Sequence, residues 1–315
     1  MTVRAIRAGI TGGFSRIALP MLRSFRLFSD LVKLEHTIFA LPFAYIGCLM
    51  AADGHASLVS WGWVTLAMVA ARTAGMTLNR LIDRNIDARN PRTRDRALPA
   101  GRVSVGPARW VALASLALLF YSAWHCNPLA LALSPIAVGL LVAYSYLKRF
   151  TSYAHFGIGL VLACAPVGGW VAVRGELGAV PLCLGAGVLA WVAGFDVLYA
   201  CLDVDFDRTE GLHSIPARRG TAYAFRLARL LHVGSILAIA VAGHLLGLGP
   251  VYFVGVGVAG ALLVYEHSLV TPHDLSRMDQ AFFTMNGWVS VTLLVFTWLS
   301  YRMAGTGALL SWIFS

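Results

Sequence analysis

Charge is what this chain has least of. Asp, Glu, Lys and Arg make up 13% of its 315 residues, against about 25% in an ordinary soluble domain. A water-facing surface cannot be built from so few charges, which argues against a soluble enzyme. Cysteine is sparse too. The five present (Cys48, Cys126, Cys164, Cys183, Cys201) lie in or at the ends of apolar runs and form no C-x-x-C pair. They read as small buried hydrophobes rather than as a disulfide framework or a zinc ribbon. The nine histidines show no ligand spacing, so no zinc site is expected. Short alternating apolar segments are lacking as well, which argues against a membrane β-barrel. No compact apolar core with a cleavage site precedes the first long apolar run, so the basic segment 1–33 is expected to stay in the mature protein.

What the chain does have is apolar residues, 58% of the total. A membrane helix needs about 20 of them in a row. The runs predict nine spans, roughly 36–52, 60–78, 108–125, 128–147, 154–173, 180–201, 229–248, 251–270 and 283–303. The expected fold is all-α: a polytopic bundle over 34–315, with 1–33 as a basic segment before it. The balance of 25 basic against 15 acidic residues, net +10, could suit nucleic acid. Its distribution says otherwise. All but Arg72, Arg174 and Arg302 fall in the segments on one side of the predicted spans. By the positive-inside rule that side is cytoplasmic, with the N-terminus there and the C-terminus outside, in a cell (inner) membrane. No nucleic-acid partner is expected.

The few acids are grouped. Asn79, Asp83 and Asp87 form N-x-x-x-D-x-x-x-D directly after the second apolar run. A step of four residues advances about 400°, so the three share one narrow helical stripe. Two carboxylates stacked in this way repel each other, and the stripe makes sense with a cation against it. Arg72 lies seven positions before Asn79, on the same face and inside the apolar run. An ionisable group at that depth points to a wet or paired interior. After the sixth run come Asp196, Tyr199, Asp203 and Asp207. On a continuous helix they fall at about 0°, 300°, 340° and 20°, a second stripe. Each stripe is followed by a basic loop, the first holding Arg94 and Arg96; Lys148 and Arg149 end the fourth run on the same side. Glu266 and His267, late in the eighth run, read as interfacial structural residues.

Clustered carboxylates amid arginine suggest magnesium and phosphate. Mg²⁺ takes one or two carboxylates and completes its shell with phosphate oxygens and water. Two stripes facing each other could grip a diphosphate through metal ions, with Lys and Arg neutralising the rest. The apolar interior beneath would hold a long tail, and a diphosphate with an apolar tail is a polyprenyl diphosphate. Loss of the diphosphate leaves an allylic cation, kept from water by an apolar cavity and open to attack by an electron-rich ring.

These residues resemble the UbiA superfamily of intramembrane aromatic prenyltransferases. The first motif (Asn79, Asp83, Asp87) and the second (Asp196, Tyr199, Asp203, Asp207) match the family's two acidic motifs. Arg96, Leu98, Pro99 and Gly101 resemble its R-P-L-P-S-G segment, and Tyr144 to Arg149 its Y-x-x-x-K-R. The stretches 34–42 and 211–218 resemble its 4-hydroxybenzoate polyprenyltransferase-like subgroup. The resemblance implies a nine-helix bundle, with a central cavity open to the cytoplasm and Mg²⁺-dependent transfer of a prenyl chain to an aromatic acceptor in quinone biosynthesis. It implies catalytic roles for Asp83, Asp87, Asp196, Asp203 and Asp207, and metal binding by Asn79, Asp83, Asp87, Asp203 and Asp207. Arg94, Arg96, Lys148 and Arg149 would bind diphosphate. Arg72, Tyr199 and Asp196 would bind the acceptor, either 4-hydroxybenzoate or the 1,4-dihydroxy-6-naphthoate of the futalosine menaquinone route; both carry a carboxylate. A CDP-alcohol phosphotransferase is disfavoured because no D-G-x-x-A-R precedes Asn79. A transporter is disfavoured because the acids gather at one surface instead of the bilayer midplane.

Overall fold

The computed structural model describes residues 37–313. The basic segment 1–33 therefore lies outside the described residues. Within them the chain is helical, with an isolated bridge between Thr271 and Asp274. The helices are α1 (Thr37–Ala51), α2 (Leu58–Asp87), α3 (Val105–Cys126), α4 (Pro128–Leu147), α5 (Ala154–Arg174) and α6 (Ala179–Tyr199). A 3-10 turn (Ala200–Asp203) leads into α7 (Val204–Thr209) and α8 (Ile215–Arg219). Then come α9 (Thr221–Leu245), α10 (Pro250–Leu269) and α11 (Asn286–Ile313), the last preceded by a π-helical turn, Gln280–Met285.

Among the described residues, seven helical stretches are long and apolar enough to cross a membrane. They are α3, α4, α5, α6 with its continuation to Thr209, α9, α10 and the Phe283–Ala304 part of α11. This is a multi-pass membrane protein. The first two predicted spans are of a different kind. The apolar part of α1, Ala40–Ala51, is shorter than a span. Helix α2 has 30 residues and so runs about 45 Å, well beyond a hydrocarbon core of about 30 Å. The excess carries the first acidic motif out of the apolar layer on a continuous helix. Helix α9, the seventh predicted span, also starts earlier than its apolar run, at Thr221.

Local sequence explains the joints. Asn127 ends α3 and caps α4: its side-chain oxygen accepts from the Ala130 amide at 2.9 Å, while its Nδ2 donates to the Val171 carbonyl at 2.7 Å. One residue thus caps a helix and ties the α3–α4 turn to α5. Small residues set the closest helix contact. A Cβ added at Gly47 would come within 2.1 Å of the Pro166 carbonyl oxygen, and one at Gly169 within 2.1 Å of the Ala44 oxygen. Helices α1 and α5 therefore touch backbone to backbone, which only glycine permits. Helix α11 packs against α1 and closes the ring of helices.

The main apolar cluster lies among α1, α6, α9, α10 and α11, around Phe43, Trp191, Tyr252 and Leu293. Two of its polar atoms are matched: Trp191 Nε1 donates to Asn286 Oδ1 at 2.7 Å, and the Tyr252 hydroxyl to the Ile239 carbonyl at 2.8 Å. The other half of the bundle is hollow. Helices α2 to α5 enclose a cavity of about 370 Å³, lined by Met68, Met76, Leu119, Leu141, Val161 and Ala165 among others.

Candidate active site

The site forms where α2 outruns the membrane layer and meets three connecting segments, 88–104, 148–153 and 200–220. Asn79, Asp83 and Asp87 do share one face of α2, as their spacing requires. Asp83 and Asp87 are nearly covered, with side chains 4% and 7% exposed. Their mutual repulsion is relieved by the protein's own cations. Lys148 Nζ donates to Asp83 Oδ2 at 2.6 Å and Arg149 Nη2 to Oδ1 at 2.8 Å. Arg96 Nη1 reaches Asp87 Oδ2 at 2.9 Å. Asn79 Nδ2 adds a bond to Asp83 Oδ2 at 3.1 Å and another to the Ser145 hydroxyl at 3.2 Å. Arg149 also holds the Ser145 and Ile82 carbonyls, which locks the end of α4 to α2.

The second motif departs from the predicted stripe. The α-helix stops at Tyr199 and tightens into the 3-10 turn before α7 begins. A 3-10 turn has three residues per turn, so the 3.6-residue phase is lost across it. Asp196 and Asp203 consequently meet different partners. Asp203 is gripped by Arg92, whose Nε donates to Oδ1 at 2.9 Å and whose Nη2 pairs with Oδ2. Asn90 Nδ2 adds a bond at 3.1 Å. The same guanidinium lies over the Tyr199 ring, 5.1 Å from its centroid. Burial is the largest single influence on Arg92 and lowers its pKa, but the bond to Asp203 together with the charges of Asp203, Tyr199 and Asp87 holds the guanidinium above its ordinary value. Asp207 sits against Ser214, close enough to Lys148 and Asp203 to feel their charge. Lys148 thus stands between the two motifs.

Asp196 is held from below. His155, 4% exposed at the start of α5, bonds Asp196 Oδ2 through Nδ1 at 2.7 Å. Its Nε2 accepts from the Ile215 amide at 3.4 Å. With Nε2 accepting, Nδ1 is the donor. One imidazole so ties α5, α6 and the 200–220 segment together.

Arg72 opens on the cavity instead of on the aspartates. It lines the apolar hollow with Tyr144, and its Nε is buried without a hydrogen-bond partner. Tyr144 lies within electrostatic reach of Arg72, Asp83 and Asp196, and so connects the cavity to the polar layer. Arg94 is exposed and sits apart from the carboxylates. Arg92, two residues earlier, is the arginine of this loop that pairs with the second motif. Sequence reasoning missed Asn90, Arg92 and His155. The first two belong to a loop, where no helical period indicates which of several arginines turns inward. His155 is a lone histidine beside an apolar run, and its spacing carries no signal. Glu266 is 1% exposed, and His267 Nε2 lies 3.0 Å from His232 Nδ1, so both side chains pack against the bundle.

Chemically, the layer is a set of oxygen donors interleaved with cations above an apolar hollow. Among the described residues, no three His, Cys, Asp or Glu side chains converge closely enough to hold a metal ion; the acids pair instead with Lys148, Arg149, Arg96 and Arg92.

Known proteins resemble this chain in sequence and in fold. The model of the UbiA prenyltransferase family matches residues 40–289. The 4-hydroxybenzoate octaprenyltransferase of Aromatoleum aromaticum is 31% identical over 254 residues, covering 80% of this chain and 85% of that protein. The enzyme of the same name from Pseudomonas aeruginosa is 31% identical over 260 residues, 81% of this chain and 85% of its own. The apo structure of a UbiA homolog from Aeropyrum pernix superposes with a TM-score of 0.76 at 33% identity, over 84% of this chain and 97% of that one. A UbiA homolog from Archaeoglobus fulgidus bound to DMAPP and Mg²⁺ shares the fold at a TM-score of 0.67 and 19% identity, over 87% and 99%. On the matched length and the two acidic segments it contains, this chain belongs to the UbiA prenyltransferase family.

Proposed function

We propose that this enzyme transfers a polyprenyl chain from polyprenyl diphosphate to a hydroxylated aromatic carboxylate of the 4-hydroxybenzoate type, in quinone biosynthesis. The observation that carries the reading is Arg72. A guanidinium with an unpartnered Nε in an apolar cavity is costly unless a ligand completes it. A planar carboxylate is the ligand its fork fits. The acceptor carboxylate would meet Arg72, its ring would lie near Tyr144 and Asp196, and the prenyl tail would fill the hollow of about 370 Å³. Relatives named for 4-hydroxybenzoate support this acceptor class. The same feature accommodates 1,4-dihydroxy-6-naphthoate, the second reading.

The polar layer fits Mg²⁺ by donor type. Asn79, Asp83, Asp87, Asp203 and Asp207 offer only oxygen ligands, which suit a hard cation. We assign these residues to metal binding. When bound, Mg²⁺ would neutralise the leaving diphosphate. Lys148, Arg149, Arg96 and Arg92 are now paired with acids; released from them, they would take diphosphate oxygens. Arg94 stays a rim contact at most. Asp196, oriented by His155, faces the acceptor side with Tyr199. The apolar wall keeps water from the allylic cation. The basic-residue bias supports a cytoplasmic position for this layer, in the inner membrane.

The test is prenyl transfer on isolated membranes with geranyl diphosphate and Mg²⁺, offering each acceptor in turn, with Asp83→Asn and Arg72→Ala beside the wild type. Product from the benzoate supports the first reading, and product from the naphthoate alone the second. Arg72→Ala should raise the acceptor KM by about ten- to a hundredfold, the worth of a charged hydrogen bond, and leave the KM for geranyl diphosphate unchanged. Full activity in Asp83→Asn would sink the metal–diphosphate assignment.

A further inference from the structure

A second basic hollow opens on the same end of the bundle, outside the layer of aspartates. It has a volume of about 470 Å³ and is lined by Ser152, Arg208, His213, Ser214 and Arg218, with Phe150 at its edge. No acidic side chain lines it, nor do Lys148, Arg149 or Arg96. Four other arginines at this end are held by carboxylates: Arg89 by Glu210, Arg92 by Asp203, Arg96 by Asp87 and Arg149 by Asp83. Arg208 instead donates Nε to the Ala217 carbonyl at 3.0 Å. That bond engages Nε alone, and Arg208 lines the hollow. Arg218 is exposed and, like Arg208, has no acid within ion-pair distance among the described residues. Ser152 also lines the hollow; its hydroxyl is buried and without a hydrogen-bond partner, the residue being 5% exposed. A buried hydroxyl left unpaired and two uncompensated guanidinium groups share one requirement, an anion with several acceptor oxygens.

We propose that this hollow binds a phosphate-class anion, either the headgroup phosphate of an acidic lipid or free inorganic phosphate, separately from the substrate diphosphate. Its surroundings suit the lipid. Phe150, Tyr153 and Tyr146 stand 75%, 56% and 43% exposed around the same segment, the pattern of an interfacial aromatic belt. Occupancy would reach the substrate layer through one bond: the His213 amide donates to the Lys148 carbonyl at 2.8 Å, and Lys148 holds Asp83.

The test uses the full chain with two glutamine substitutions, Arg208→Gln and Arg218→Gln together. A second pair, Arg208→Lys with Arg218→Lys, keeps the charge. Arg102→Gln with Arg109→Gln removes the same charge from elsewhere on this end. One arm reads the melting temperature in detergent against added inorganic phosphate, with ionic strength held by chloride. The other reads, by native mass spectrometry, how much phosphatidylglycerol stays bound after release from bilayer discs of phosphatidylglycerol and phosphatidylcholine. Wild type should respond in at least one arm. The glutamine pair should bind about tenfold or more weakly, as expected when a charge-assisted bond is lost. The lysine pair and the control pair should bind as wild type. A response in the lipid arm alone identifies the headgroup as the source, and one in the phosphate arm alone identifies the free ion. The proposal is overturned if wild type responds in neither arm, if the glutamine pair binds like wild type, or if the control pair loses as much. It is also overturned if the lysine pair loses as much as the glutamine pair, since the loss would then reflect collapse of the loop.

Discussion

Asp196 owes its orientation to one imidazole. His155 bonds it at 2.7 Å and spends its other nitrogen on the Ile215 amide, so the ring cannot turn without losing both bonds. Removing it frees the carboxylate and leaves a void at a site 4% exposed. His155→Ala should therefore lower kcat by about ten- to a hundredfold through the misplaced carboxylate, with the KM for prenyl diphosphate little changed. His155→Gln can still donate to Asp196 and should recover much of the rate. Steady-state kinetics of the two variants checks this. Equal loss in both, matched by a fall in folded protein, would reduce His155 to packing. Asp83 is the opposite case. Its two oxygens already serve Asn79, Lys148 and Arg149, so the helix end is held together by the same charges that substrate would have to redirect.

At the scale of elements, position follows from length and from close approach. Helix α2 carries the first motif clear of the apolar layer because its 30 residues exceed what the layer needs. Helices α1 and α5 meet at Gly47 and Gly169, where an added Cβ would lie 2.1 Å from a backbone oxygen. Backbone cannot give way as a side chain can. Gly169→Ala should cost about 1–3 kcal/mol and lower the thermal midpoint of the purified protein. Gly168→Ala, whose added Cβ meets nothing within 4 Å, should leave the midpoint unchanged. An unmoved midpoint in Gly169→Ala would mean that the α1–α5 contact relaxes freely. The 3-10 turn at Ala200–Asp203 has a positional consequence as well: it turns Asp203 toward Arg92 while Asp196 stays with His155.

For the whole molecule, the two acidic motifs meet only in the folded bundle, so ligands that bridge them stabilise that bundle. Mg²⁺ with geranyl diphosphate should raise the thermal midpoint, by about 2.7 kcal/mol of stability at a hundredfold excess over Kd, and a chelator should reverse the gain and abolish transfer. Either ligand alone should give less. A shift from neither combination would deny the bridge.

The sequence by itself determined the membrane class, the helical fold, the pairing of Asn79, Asp83 and Asp87 on one stripe, and the basic end of the bundle. These depend on local composition and on the 3.6-residue period, both readable along a continuous helix. The tertiary structure alone decided which cations meet which acids. Arg92 rather than Arg94 turns inward, His155 reaches Asp196 across 41 positions, and Arg72 faces the hollow while the aspartates face Lys148. Loop direction, the phase slip at the 3-10 turn and contacts between distant helices follow no sequence period. They are set when apolar surfaces pack and the few charged groups must find partners among the oxygen atoms left within reach.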